Sequence, residues 1–209
     1  MQKLKLKPTA QRLIIAQLNH CFDKKRLHLP ELAKFMDIEI SAFRRAIKQL
    51  EELGLAKRYC GTGRDAHKVF LRWNMRNSDL WCYSYHLMRN PLIEHYNIVF
   101  PENMDQFTPG GLDLLAKRAG GFKSFDKPHL IYKGFSQSRK KNEALIRRIR
   151  PSEAGFVAEF WAYPPILPGR TEMDDISLIL STDLPETGIE AAHNRLLAKF
   201  DWTDHLEWN

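Results

Sequence analysis

Asp174 and Asp175 are adjacent carboxylates, the residue types that hold divalent cations in nucleases and nucleotidyltransferases. No third carboxylate or Gly-Ser phosphate loop accompanies them, so a solvated strand entry explains the pair better. Cys82 and His86 stand four apart on a predicted helix and could share a face as zinc ligands. With no second pair to complete a tetrahedral set, core or interface packing is favoured. His129 and His193 are candidate acid–base groups, yet no serine or cysteine nucleophile motif accompanies them. Gly61 and Gly63 match neither a P-loop nor a dinucleotide fingerprint. Ser136, Ser138, Arg139, Lys140 and Lys141 fall in GFSQSRKKN, residues 134–142, which reads as an exposed basic loop. It suits a second DNA contact, an effector site or plain solvation. No catalytic residue, metal or cofactor is expected. A metal-dependent nucleic-acid or nucleotide enzyme centred on Asp174 and Asp175 is the least favoured alternative.

Recognition of a polyanion is a different chemistry, and residues 29–73 are suited to it. LPELAKFMDIEISAFRRAIKQLEELGLAKRYCGTGRDAHKVFLRW predicts helix, tight turn, second helix and basic hairpin. That order sets one helix in a DNA groove and a β-wing on the flanking backbone. On the helix from about Ser41 to Leu53, Phe43, Ile47, Leu50 and Leu53 recur at helical spacing and face inward with Ala46. Ser41, Arg45 and Lys48 then point outward, flanked by Ala42, Arg44 and Gln49. Ser41, Ala42, Arg44 and Arg45 are expected near bases and Lys48 nearer phosphate, because the N-terminal turns of a recognition helix approach bases most closely. Arg58, Arg64 and Lys68 put charge on and beside a hairpin of Leu55–Tyr59 and Ala66–Trp73, joined by the turn-rich Cys60–Asp65. Glu51 and Glu52 would be repelled by DNA and are expected to face away or lie beyond the contact. A helical hairpin with a solvated charged face is the competing explanation, and the hairpin that follows argues against it.

These side chains need a scaffold. A first helix is expected from about Pro8 to Phe22, with Ile14, Leu18 and Phe22 as its ridge and Leu13 and Ile15 beside it. The next begins near Pro30 and buries Leu32, Ala33 and Met36, and Asp37-Ile38-Glu39 makes the turn. Gly54 falls where a left-handed C-cap is wanted. Lys3, Lys5 and Lys7 precede the first helix as a basic arm or a solvated terminus.

Charge is distributed unevenly. Residues 1–77 hold 17 Lys and Arg against 7 Asp and Glu, whereas 78–209 hold 15 against 18. A basic module of residues 1–77 joined to a mildly acidic domain of 78–209 suits nucleic-acid binding by the first alone. A basic surface without a partner is the alternative. Cys21, Cys60 and Cys82 are few and widely spaced, which argues against a zinc finger or disulfide framework. No apolar run approaches a membrane span, and MQKLKLKPTAQRL lacks a signal-peptide core. A cytoplasmic protein is expected.

LAKFMDIEISAFRRAIKQLEELGLAKRY resembles the helix-turn-helix of bacterial winged-helix regulators of the MarR-like kind, over about the first 75 residues. The resemblance implies double-stranded DNA as partner and often a homodimer on a palindromic site. It departs in one respect: MarR-like proteins dimerise through long terminal helices, and no comparable amphipathic helix follows Trp73.

Beyond residue 77 the patterns predict a helix over Ser78–Met88 capped by Ser78, strands at Tyr96–Phe100, His129–Lys133, Ala154–Tyr163 and Ile176–Ser181, and helices at Gly110–Arg118 and Ile189–Phe200. Pro164 to Gly169 forces a loop. Trp161, Tyr163, Trp202 and Trp208 are dense, and most are expected in a core. The stretch FVAEFWAYPPILPG, with DDISLILSTDLPETGIEAAHNRLLAKFDW, weakly resembles the back half of winged-helix antitoxins of AbiE-type toxin–antitoxin pairs. That resemblance implies autoregulation of an operon and a toxin protein as partner. The fold class expected is α+β: an N-terminal winged helix-turn-helix domain followed by a small mixed α/β domain for oligomerisation or for sensing a partner or effector. The function expected is a sequence-specific transcriptional regulator, a repressor in the first instance, with an antitoxin as the alternative.

Overall fold

The computed structural model describes residues 5–22, 27–101, 103–121, 127–134, 139–145, 153–182 and 188–203. They form an α+β chain that divides into two compact units, with the boundary between Arg89 and Asn90. The charge pattern put it at residue 77. The difference is one helix, α4 (Asn77–Tyr85), which packs on α1 (Pro8–Leu18) and belongs to the first unit.

In the first unit α1 is followed by α2 (Leu29–Phe35), α3 (Ile40–Glu52) and a two-stranded antiparallel hairpin, β1 (Ala56–Cys60) and β2 (Val69–Trp73). Pro8 starts α1 and Pro30 sits in the first turn of α2, where a missing N–H costs nothing. Helix α1 ends at Leu18, four residues short of the expected Phe22, because His20 turns into the left-handed region. Phe22 instead meets Phe35 edge-on, with ring centroids 6.2 Å apart. Asp37 also takes a positive φ and makes the turn between α2 and α3. Gly54 does the same after α3, as its position suggested.

Leu13, Ile14, Leu18, Met36, Phe43, Ile47 and Leu50 form the core of this unit, all shielded from solvent. Residues 5–7 are drawn into it. The Gln49 side chain accepts from the Lys7 amide (2.9 Å) and donates to the Lys5 carbonyl (3.1 Å). The Leu6 amide donates to the Leu87 carbonyl, and the Lys5 ammonium donates to the carbonyls of His86 and Met88. Lys5 is thus fastened to the unit rather than part of a free arm, while Lys3 lies outside the described residues. The N-cap of α4 is Arg76; Ser78, expected there, is buried in the first turn.

The second unit is built on a four-stranded sheet in the order β3 (Leu92–Ile98), β6 (Phe156–Trp161), β5 (His129–Tyr132), β4 (Phe107–Gly110). β5 and β6 are parallel and the two outer pairings antiparallel. One face carries Tyr96, Ile98, Phe107, Leu130 and Phe160, with Leu145 of α6 (Arg139–Leu145) packed on it. Helices α5 (Gly111–Ala119), α7 (Asp175–Ser181) and α8 (Ile189–Leu197) pack on one another, and α5 also meets β4 and β5.

Two elements differ in kind from expectation. Residues 139–145 are helical, so Arg139, Lys140 and Lys141 open α6 instead of lying in a loop; Ser136 and Ser138 lie outside the described residues. Ile176–Ser181, expected as a strand, is part of α7. Ile176, Ser177, Leu178, Ile179 and Leu180 are all buried, which erases the periodicity that separates helix from strand, and Asp174 caps the helix by accepting from the Ser177 amide (2.9 Å).

Gln49 gives a direct test of how the chain start is held. Gln49→Ala leaves a backbone donor and acceptor of residues 5–7 without their partner, and should lower stability by about 1–3 kcal/mol in denaturant unfolding. An unchanged midpoint would mean that the two hydrogen bonds contribute nothing to the fold.

Candidate functional site

The positions singled out for DNA contact fall on two neighbouring elements, α3 and the hairpin, which pack on each other. Burial of Phe43, Ala46, Ile47 and Leu50 turns the opposite side of α3 outward. Ser41, Arg44, Arg45 and Lys48 are exposed there, and Ala42 is half-buried beside them. Gln49 is not part of this surface, since it is buried on the tether described above.

Glu39 governs the start of α3. Its carboxylate accepts from the amides of Ser41 (2.9 Å) and Ala42 (3.0 Å), and the Ser41 hydroxyl donates to it as well. Those hydrogen bonds, the hydroxyl's first, hold the Glu39 carboxyl below its ordinary range. Ser41 therefore presents an already engaged hydroxyl. The sequence pattern places Glu39 in the turn and starts the helix at Ser41, and it hides this role because Ser, Thr, Asp and Asn are the usual caps.

Several cations of the surface carry their own counter-charges. Arg58 on β1 is gripped by Glu51 of α3: its Nε donates to both carboxylate oxygens (2.9 and 3.0 Å), and its terminal nitrogen lies 2.7 Å from the second. This pairing lowers the Glu51 pKa and raises that of Arg58. Lys68 lies 2.9 Å from Asp65, and Lys48 lies 3.7 Å from Glu52. Glu51 and Glu52 thus sit beside the cations instead of away from them. Arg44, Arg45 and Arg64 are exposed with no salt bridge among the described residues. Arg64 rides on the turn of Gly63–Asp65, where Gly63 takes a positive φ. Lys57 is also exposed on β1, and Arg72 of β2 lies over the Tyr59 ring, 5.9 Å from its centroid.

The other chemical candidates are occupied by structural work. Asp175 is ion-paired with Arg118 at 2.7 Å, and the same arginine donates to the Met173 carbonyl. With Asp174 capping α7, both carboxylates mark a helix start and not the strand entry anticipated for them. His129 is bonded through Nδ1 to Glu159, which also accepts from the Trp161 indole (2.8 Å). Nε2 of His193 lies 3.0 Å from the Thr182 hydroxyl. Trp161, Tyr163 and Trp202 are buried, and Trp208 lies outside the described residues. Among the described residues no three His, Cys, Asp or Glu side chains gather as a metal site, and no helix is long and apolar enough to cross a membrane.

Comparison with known proteins finds no match to a family model, a curated protein or a solved structure.

The Glu39 cap has a pH signature. Its folded pKa is depressed, so its contribution is complete above the ordinary value of 4.5 and disappears as pH falls through the folded value. Glu39→Ala should unfold at lower denaturant than wild type near neutral pH, and the gap should close in strong acid. A gap that persists in acid would show that the ionised cap is not its source.

Proposed function

We propose that the first unit is a winged helix-turn-helix that binds double-stranded DNA in a sequence-specific manner, with α3 as recognition helix and the β1–β2 hairpin as wing. In this reading the chain is a transcriptional regulator that represses its own operon. The observation that carries it is the outward row of Arg44 and Arg45 on α3, beside a hairpin whose turn holds Arg64. Two guanidiniums on the first turns of a buried-edge helix are suited to guanine O6 and N7. Arg58, Lys68 and Lys48 have carboxylate partners and are cast as phosphate contacts whose ion pairs open on binding. Ser41 is cast as a backbone-side contact, with its hydroxyl held by Glu39, and Ala42 as a close-approach position.

The test is retention of the protein's upstream DNA against scrambled DNA across a salt series. Arg44→Ala or Arg45→Ala should weaken specific binding by about 1–3 kcal/mol. Glu51→Gln should strengthen binding and steepen the salt dependence by about one phosphate contact, because Arg58 is then uncompensated. Equal binding to both DNAs, unaltered by all three substitutions, would remove this reading.

The second unit is assigned to self-association, on the strength of Val99, Phe100 and Met104, apolar side chains exposed between β3 and β4. Phe100→Lys should convert a dimer to a monomer in sedimentation equilibrium. A wild-type monomer would instead direct attention to a different protein, including a toxin, as the occupant of that surface.

A further inference from the structure

β3 and β4 are the outer strands of the second sheet, and their open edges are defended differently. β4 is 4 residues long, contains Pro109 and passes directly into α5. A short strand with a proline resists pairing with another chain. β3 reads LIEHYNI, with no Pro, Lys or Arg. Its carboxylate, Glu94, is engaged on the α6 side, where it accepts from the Tyr96 hydroxyl (2.8 Å) and the Asn142 amide (3.0 Å). The backbone direction of β3 follows from the ladder. The Val157 amide donates to the Pro128 carbonyl (3.0 Å), so alternate residues of β6 address β5, and Phe156, Ala158 and Phe160 address β3. Their partners Ile98, Tyr96 and Glu94 turn inward in return. His95 and Asn97 therefore aim their N–H and C=O groups at the open edge, which no described strand covers.

We infer that β3 pairs antiparallel with β3 of a second copy of this chain, about a two-fold axis beside Tyr96, so that the two sheets join into one. The inference rests on the assignment of the second unit to self-association and specifies the contact. The exposed apolar side chains fix the register. Leu92 (36% exposed) and Ile93 (42%) precede the centre of the strand, and Val99 (49%) and Phe100 (55%) follow it at matching distances from Tyr96. An antiparallel arrangement about that residue lays the leading pair of each copy alongside the trailing pair of the other, as an isologous contact requires. It also sets His95 opposite the partner's Asn97, where each exchanges N–H and C=O with the other, and the symmetry repeats the pair. Imidazole then faces carboxamide, and the two side chains have complementary donors and acceptors. Centring on Glu94 or His95 instead would set two carboxylates or two imidazoles opposite each other. The bulge between Leu92 and Glu94 ends the regular ladder there, so the apolar pairs flank it as side-chain contacts.

Sedimentation equilibrium of the full chain, read together with residue-level amide hydrogen exchange, tests the pairing. Asn97→Pro removes an N–H on the open edge and leaves the bonds to β6 in place, whereas Asn97→Thr keeps the backbone donor. The proline variant should raise the dimer dissociation constant at least about tenfold, since a backbone bond is lost in each symmetry-related pair, and the threonine variant should stay close to wild type. In the wild type the His95 and Asn97 amides should exchange slowly at concentrations where the dimer is populated, and fast on dilution or in Phe100→Lys. This second readout needs no substitution within the strand, so it decides the matter even if Asn97→Pro does not fold. A dimeric wild type whose His95 and Asn97 amides exchange fast, or a folded Asn97→Pro that dimerises as tightly as wild type, overturns the strand pairing and leaves self-association through Val99, Phe100 and Met104 standing. A wild type that is monomeric at every concentration overturns both.

Discussion

Phe43, Ala46, Ile47 and Leu50 line one edge of α3 and are almost wholly withdrawn from water. Burying a large apolar side chain is worth about 1.5–3 kcal/mol, so this edge sets the rotational phase of the helix against α1 and α2. Everything proposed for the surface depends on that phase. A rotation by one residue, about 100°, would carry Arg44 and Arg45 off the outward side and bring Phe43 into solvent. The same edge leaves Ile40, at the start of the helix, exposed at its margin. Gln49 secures the opposite end of the arrangement by holding the backbone of residues 5–7.

The electrostatics of this surface are more restrained than the count of basic residues suggests. A chain segment with a large cationic excess would attract any polyanion. Carboxylates of Glu51, Glu52 and Asp65 sit among the cations and lower that general attraction. Arg44, Arg45 and Arg64 are left to discriminate. Such an arrangement favours a partner that supplies geometry as well as charge, because opening an ion pair must be matched by a better-placed one.

Much of the first unit was legible because its elements obey local rules. Pro8 and Pro30 begin helices, Gly54 ends one, and the apolar spacing of α3 identifies its buried edge. What escaped had no local signature. Gln49 looks like any polar helix residue until the chain start is seen to run past it. Glu39 is an uncommon cap. In the second unit β4 contains Pro109, which argues against a strand and is tolerated because β4 lies at the sheet edge. Helix α7 is buried all round, so its apolar run carries no period. α4 joined the first unit through packing on α1, which no composition shift announces. For the surface itself, the exposed positions were readable from periodicity, whereas the pairing of Arg58 with Glu51 was not, since it links residues seven apart across an element boundary.

The strand order of the second sheet has a consequence for the order of events during synthesis. Among the described strands β6 is the last to emerge, yet it bonds to both β3 and β5 and joins the two halves of the sheet. Until Trp161 has left the ribosome, β3 lacks the strand it pairs with, and β4 and β5 have only each other, joined across α5. In the first unit the two strands are consecutive, and its described helices and strands all lie before Asn90. Nascent chains therefore present the described helices and strands of the first unit while β3 still waits for its neighbour. An unpaired strand edge is open to misassociation for that interval.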